Sequence, residues 1–136
     1  MRKVVVIAAA VALALAVPAS AGTHFVKLAS GSDESEYASV SLLTLYPLLA
    51  AGQKPYTRFA VTLVSRPAQA LRLSYRVQCS NGVDEATRSY PARRLAATRV
   101  GARYALKTPM VKARYCSVSL VASGAGYVKA TLLGSR

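Results

Sequence analysis

Leu71-Arg72-Leu73-Ser74-Tyr75-Arg76-Val77-Gln78-Cys79 alternates apolar and polar side chains through nine consecutive positions. A period of two puts Leu71, Leu73, Tyr75, Val77 and Cys79 on one face of an extended chain, with Arg72, Ser74, Arg76 and Gln78 on the other. This is the pattern of a half-buried antiparallel strand. It recurs on both sides of this stretch. Phe59, Val61 and Leu63 alternate with Ala60, Thr62 and Val64; Cys116, Val118, Leu120 and Ala122 with Ser117, Ser119 and Val121; Val128, Ala130 and Leu132 with Lys129 and Thr131. Ala38 to Tyr46 and Arg103 to Lys107 read as further strands, and Ala86 to Tyr90 as a weaker one. No stretch sustains a helical period, although Leu48 to Ala51 has the length of one turn.

Turn chemistry punctuates these runs. Arg66-Pro67-Ala68-Gln69 separates the second strand from the third, and Asn81-Gly82 closes the third. Ser123-Gly124-Ala125-Gly126 predicts a hairpin joining the last two. Six to eight short strands at this spacing predict an all-β fold. The expected form is an antiparallel β-sandwich of immunoglobulin or fibronectin type III kind, with a small β-barrel as the alternative. Cys79 ends one strand and Cys116 begins another, so a disulfide between antiparallel neighbours fits the topology. The chain has no tryptophan, and Tyr115 directly precedes Cys116 instead of standing two positions before it. The likeness to antibody domains is therefore one of architecture alone.

The N-terminus supplies an address. Arg2 and Lys3 precede an apolar run from Val4 to Val17, and Ala19-Ser20-Ala21 follows as a small-x-small cleavage pattern. Residues 1–21 read as a secretory signal peptide cleaved before Gly22, too short to span a bilayer. The later stretch Val40 to Ala51 is broken by Ser41, Thr44 and Pro47. The expected product is secreted, or periplasmic or wall-associated, and carries no membrane span. Residues 22–36 form an N-terminal segment ending in the polar loop Ser30 to Glu36. Residues 37–136 form one β-sandwich domain. Export to an oxidising compartment makes Cys79–Cys116 a structural bridge.

Charge is the other strong signal. The chain carries a formal net charge of +13, and loss of Arg2 and Lys3 leaves +11. From Ala86 to Arg114 the sequence holds Arg88, Arg93, Arg94, Arg99, Arg103, Lys107, Lys112 and Arg114 without one acid, interleaved with Tyr90, Tyr104 and Tyr115. Guanidinium forks suit carboxylate and phosphate, and tyrosine offers a flat face for rings. Arg72 and Arg76 share the outward side of their strand, and Lys129 the outward side of another. The candidate anion-binding set is Arg72, Arg76, Arg88, Arg93, Arg94, Arg99, Arg103 and Lys129. The alternative is a dispersed basic surface that keeps the protein soluble. Arg114 shares the inward parity of Cys116 and is expected beyond the core edge or against a loop.

Catalytic chemistry finds little support. The single histidine, His24, would be the third residue of the mature chain, where a general base lacks rigidity. No Gly-x-Ser-x-Gly occurs. The acids Asp33, Glu34 and Glu36 sit in one polar stretch, and Asp84 and Glu85 in one turn. Calcium ligation by the first three departs from EF-hand spacing. No metal and no cofactor are expected. The sequence therefore reads as a small secreted binding domain, not an enzyme, whose partner is an anionic polymer or cell-surface component. Nucleic acid is disfavoured because no recognition motif is present. A proteinaceous inhibitor or toxin-like effector is the alternative, with Ala105 to Lys112 as the one candidate inhibitory loop.

Overall fold

A computed structural model describes residues 24–44 and 56–135. Residues 1–21, expected to be a signal peptide, and residues 48–51, expected to form one helical turn, lie outside the described residues. Six strands form: β1 (Val26–Thr44), β2 (Arg58–Arg66), β3 (Gln69–Ser80), β4 (Glu85–Ala97), β5 (Ala102–Ala105) and β6 (Tyr115–Ser135). All belong to one antiparallel sheet of order β4-β3-β6-β2-β5, with β1 also paired to β6.

Strand β6 is the spine. Its inward residues Cys116, Val118, Leu120, Ala122, Val128, Ala130 and Leu132 are all buried and all even-numbered. One parity thus persists through Gly124-Ala125-Gly126. A hairpin there would place residues 128–132 beside 116–122. Instead, residues 115–123 pair with β3 and residues 127–135 with β2 along the same edge of β6. Strand β1 pairs along the other edge, from Val26 opposite Gly134 to Thr44 opposite Val118. Both β2 and β3 run antiparallel to β6, so they run in the same direction, one after the other. The Arg66-Pro67-Ala68-Gln69 segment, which contains a cis Arg66–Pro67 peptide, joins them without reversing the chain.

The sheet bends at the level of Gly124–Gly126 and curls into a half-barrel. Opposite this bend, β1 carries a register shift between Ser35 and Ala38. Its inward parity changes there from odd (Gly31, Asp33) to even (Ala38, Val40, Leu42), as a bulge requires. The two ends of β1 then face each other across the interior. A Cβ at Gly31 would lie 3.1 Å from Val40 Cγ1 and 3.3 Å from Leu42 Cδ2. Leu63, Leu71, Leu120 and Leu132, from both halves of the sheet, share this one core.

A polar clasp holds the bend. Gln69 Oε1 accepts the Ala125 N–H at 3.1 Å, and Gln69 Nε2 donates to the Ala125 carbonyl. The same Nε2 donates to Oγ of the fully buried Ser65 at 2.7 Å, and that hydroxyl donates to the Pro67 carbonyl at 2.6 Å. Buried polar groups persist only when bonded in this way. On the far side, Ser65 N–H donates to the Thr98 carbonyl at 3.0 Å, and Tyr104 Oη donates to the Ala96 carbonyl, so the end of β4 is drawn towards β2 and β5.

The all-β class holds, and its strands make one curled sheet in place of two separate ones. The disulfide joins Cys79 to Cys116, which lie directly opposite in register on β3 and β6 with Cα atoms 4.1 Å apart. Asn81-Gly82 does close the β3–β4 hairpin: Asn81 Oδ1 accepts the N–H groups of Val83 and Asp84, and Gly82 takes φ +95°. Three expectations are corrected. Ser123–Gly126 is mid-strand. Ser30–Glu36 is part of β1, because β6 is long enough to pair with it. Strand β4 runs on past Tyr90 to Ala97. Pro91 sits in the register shift between the Tyr75–Tyr90 and Leu73–Arg93 pairs, on an edge strand, where its missing N–H is tolerated.

The clasp generates a stability prediction. Gln69→Ala should cost about 1–3 kcal/mol by leaving Ser65 and Ala125 underbonded. Gly126→Ala should cost about 2 kcal/mol or more, since φ is +84° and the new Cβ would lie 2.6 Å from the Arg66 carbonyl oxygen. Urea denaturation of both variants checks this; losses below about 0.5 kcal/mol in each would contradict it.

Candidate anionic-ligand groove

Four strands, β4, β3, the first half of β6 and the second half of β1, present one continuous outer face. Parity decides what faces outward. Strand β6 shows Ser117, Ser119, Val121 and Ser123, and β1 shows Ser39, Ser41 and Leu43. Arg72, Ser74, Arg76 and Gln78 come from β3, and Thr87, Ser89 and Arg94 from β4. Register then fixes the neighbours. Arg76 stands between Ser89 and Ser119, with Leu43 beyond; Arg72 stands between Arg94 and Ser123, with Ser39 beyond.

Serine is short, so the β6 row forms a low floor between taller walls. Three depressions follow one another along it. One of about 200 Å³ includes Arg76, Gln78 and Ser117; one of about 400 Å³ includes Ser41, Ser74, Arg76, Ser89 and Val121. The third, of about 520 Å³, includes Tyr37, Ser39, Arg72, Arg94 and Ser123 and ends on the clasp residues Gln69 and Ala125. From Ser117 to Ala125 the floor spans about 25 Å at the usual strand rise. One wall is basic. The other is partly apolar, with Leu43 58% and Tyr37 85% exposed.

Arg72 and Arg94 are directly opposed across β3 and β4, a like-charge pairing that disfavours the sheet unless an anion offsets it. No acidic side chain forms an ion pair with Arg72, Arg76 or Arg94 among the described residues. Glu36 lines the same depression as Arg72 and Arg94 from the β1 side.

The other candidate cations lie elsewhere. Arg88 and Arg93 are opposite Val77 and Leu73, on the inner-parity side of β4, but remain exposed because β4 overhangs the core. Charges so placed also guard an edge strand against unwanted pairing. Arg99 lies in the β4–β5 turn. Arg103 is opposite Thr62 on β5, its guanidinium 5.1 Å from the Phe25 ring. Lys129 faces outward on the second half of β6, opposite Val64. The eight candidates therefore divide: Arg72, Arg76 and Arg94 converge on the groove, and the other five do not join them. Arg114 is exposed, with its guanidinium against Gly82, as its parity required.

The tyrosines serve the fold. Tyr75 and Tyr90 stack at 4.6 Å, Arg88 lies 5.6 Å from the Tyr90 ring centre, and Tyr75 Oη accepts the Lys107 N–H at 3.0 Å. Asp33 accepts the N–H groups of Glu34 and Ser39, both at 2.9 Å, and so braces the β1 bulge. No group of three metal-ligating side chains gathers among the described residues. His24 is exposed ahead of β1. The Ala105–Lys112 stretch leaves β5 with Leu106 buried and Met110 packed on the core, and it turns at Val111-Lys112. Sequence reading missed the serine floor, Glu36 and the Leu43 wall, because they become neighbours only once the register of β1 on β6 is known.

No family model matches the chain, and no curated protein matches it. A solved structure titled "Crystal structure of PirA" aligns with 79% of this chain and 92% of that chain, at 10% identity and a TM-score of 0.40. At that score the likeness carries no argument, and the architecture stands on the strand pairing.

If Arg76 lacks a partner, a carboxylate placed beside it will stabilise the sheet. Ser119→Glu should raise stability by about 0.2–1 kcal/mol at low salt, with the gain shrinking as salt rises. Thermal denaturation at two ionic strengths checks this; a loss at low salt would contradict an unpaired Arg76.

Proposed function

We propose that this protein is a secreted binding domain that holds an extended anionic glycan in the serine-floored groove of its outer face. The observation that carries this reading is the alignment of Arg72, Arg94 and Arg76 along one wall, without acidic partners. A linear chain fits a groove about 25 Å long better than a compact ligand does. Hydroxyls of Ser39, Ser41, Ser74, Ser119 and Ser123 can exchange hydrogen bonds with sugar hydroxyls, and the apolar faces of sugar rings can rest on Leu43, Val121 and Tyr37. The arginines would bind acidic substituents through their forks.

The groove favours glycan over single-stranded nucleic acid. Sequence-tolerant binding of bases needs a series of exposed aromatic platforms; Tyr37 is exposed, whereas Tyr75 and Tyr90, which also line the groove, are half-buried and stacked on each other. The inhibitor alternative is disfavoured because its candidate loop reaches a turn at Val111-Lys112, whereas recognition by strand addition needs an extended segment. Action outside the cytoplasm is supported by the N-terminal residue pattern and is compatible with the Cys79–Cys116 bridge. The bacterial envelope and the extracellular space both supply acidic glycans.

Titration with fluorescent dextran sulfate and with polygalacturonate oligomers over a salt series tests the reading. Binding should weaken as salt rises. The triple variant Arg72→Ala/Arg76→Ala/Arg94→Ala should lose about 100-fold or more, at roughly tenfold for each charged contact. Arg88→Ala/Arg93→Ala should stay within about threefold, as exposed charges elsewhere act only at long range. Equal losses in the two variants, or tighter binding of an oligothymidine of matched length, would overturn it.

A further inference from the structure

We infer that the Arg72–Arg94 pair is a discrete subsite for a tetrahedral oxyanion, a phosphate or sulfate group, and that it sets the ligand class of the groove. The inference rests on the groove reading for its place in a longer ligand, but the subsite has its own chemistry. A carboxylate is satisfied by one guanidinium fork, two oxygens against two N–H groups. Here two guanidinium groups leave adjacent strands at directly opposed positions, and both line one depression. Together they present a charge of two and two forks, which a group with three or four oxygens can use fully. Like charges directly opposed on a sheet cost stability, and a bound anion of charge near two removes that cost.

The neighbours supply the rest of the subsite. Ser123 and Ser39 follow Arg72 in register across β6 and β1, giving hydroxyl donors on the side away from Arg94. Glu36 lines the same depression and forms no ion pair with either arginine. Its carboxylate opposes an incoming anion, so the subsite is held below its full strength. Arg76 lies four residues from Arg72 on the same strand face, about 13 Å away, and stands alone among Ser89, Ser119 and Leu43. A linear ligand would therefore place a tetrahedral oxyanion at the arginine pair and a singly charged group at Arg76.

The test follows the Arg Nε–Hε resonances of the full folded chain while sodium phosphate, sodium sulfate or sodium acetate is added at constant ionic strength. Phosphate and sulfate should give saturable shifts of the Arg72 and Arg94 signals, and whichever saturates lower names the preferred group. Acetate should bind at least about fivefold more weakly, and Arg88 and Arg93 should drift linearly. Arg94→Ala should weaken the Arg72 response about tenfold, and Arg94→Lys should restore part of it. Glu36→Gln should tighten binding two- to threefold by removing the opposing charge. Acetate matching phosphate, equal responses at Arg88 and Arg72, or weaker binding in Glu36→Gln would overturn the subsite. Saturable phosphate or sulfate binding without glycan binding would leave the subsite standing and overturn the groove reading. Glycan binding that ignores Arg94 would do the reverse.

Discussion

The bend of β6 at Gly124-Ala125-Gly126 is the constraint on which the other elements depend. A straight strand from Tyr115 to Ser135 would extend about 70 Å, far too long for a flat sheet of this size to bury either face. Bending brings its two halves over one interior, and the neighbours must then bend or break at the same level. Strand β1 bends through the bulge at Ser35–Ala38. The opposite edge breaks, so β2 serves one half and β3 the other. Gln69 sits where that edge is broken and bonds both ways to the Ala125 backbone. Its position just after Pro67 puts one side chain in reach of β2, β3 and β6 together.

The disulfide and the clasp divide the work along β6. Cys79–Cys116 fixes the register of β3 at the start of the spine, and the Gln69 clasp fixes it near the end of the same pairing. Between them, outward residues of β3 and β6 are locked side by side. This is why Arg72 and Arg76 stand in fixed rows with Ser123 and Ser119. The groove is thus a consequence of pairing, with small side chains on the central strand and long ones on β3 and β4. The depression that holds Arg72 and Arg94 ends on the clasp itself.

Much of the strand content was legible from alternation alone, because the inward rows of β2, β3 and β6 are mostly buried and the outward rows of β3 and β6 mostly polar. The outward positions of Arg72, Arg76 and Lys129 followed from the same parity, and the pairing of Cys79 with Cys116 followed from their places at the end of one strand and the start of another. The hairpin at Ser123–Gly126 was misread for a physical reason: glycines that permit a tight turn also permit a sharp bend within a strand. The unbroken even parity from Cys116 to Leu132 held the distinction, since a continuing strand keeps one inward row across the glycines. The acidic stretch Ser30–Glu36 looked like a loop because its apolar residues are few, and its pairing depends on β6, about 100 positions away. Convergence of Arg94 on Arg72, and its absence for Arg93, turns on the register shift beside Pro91, which local sequence does not announce.

Native-state hydrogen exchange at the Ala125 amide tests the central claim, that residues 123–126 are the clasped middle of one strand. That N–H donates to Gln69 Oε1 at 3.1 Å. The account predicts exchange slower by orders of magnitude than at Val100, in the β4–β5 turn, and a return to fast exchange in Gln69→Ala. Rapid exchange at Ala125 in the wild-type chain, matching that at Val100, would contradict it.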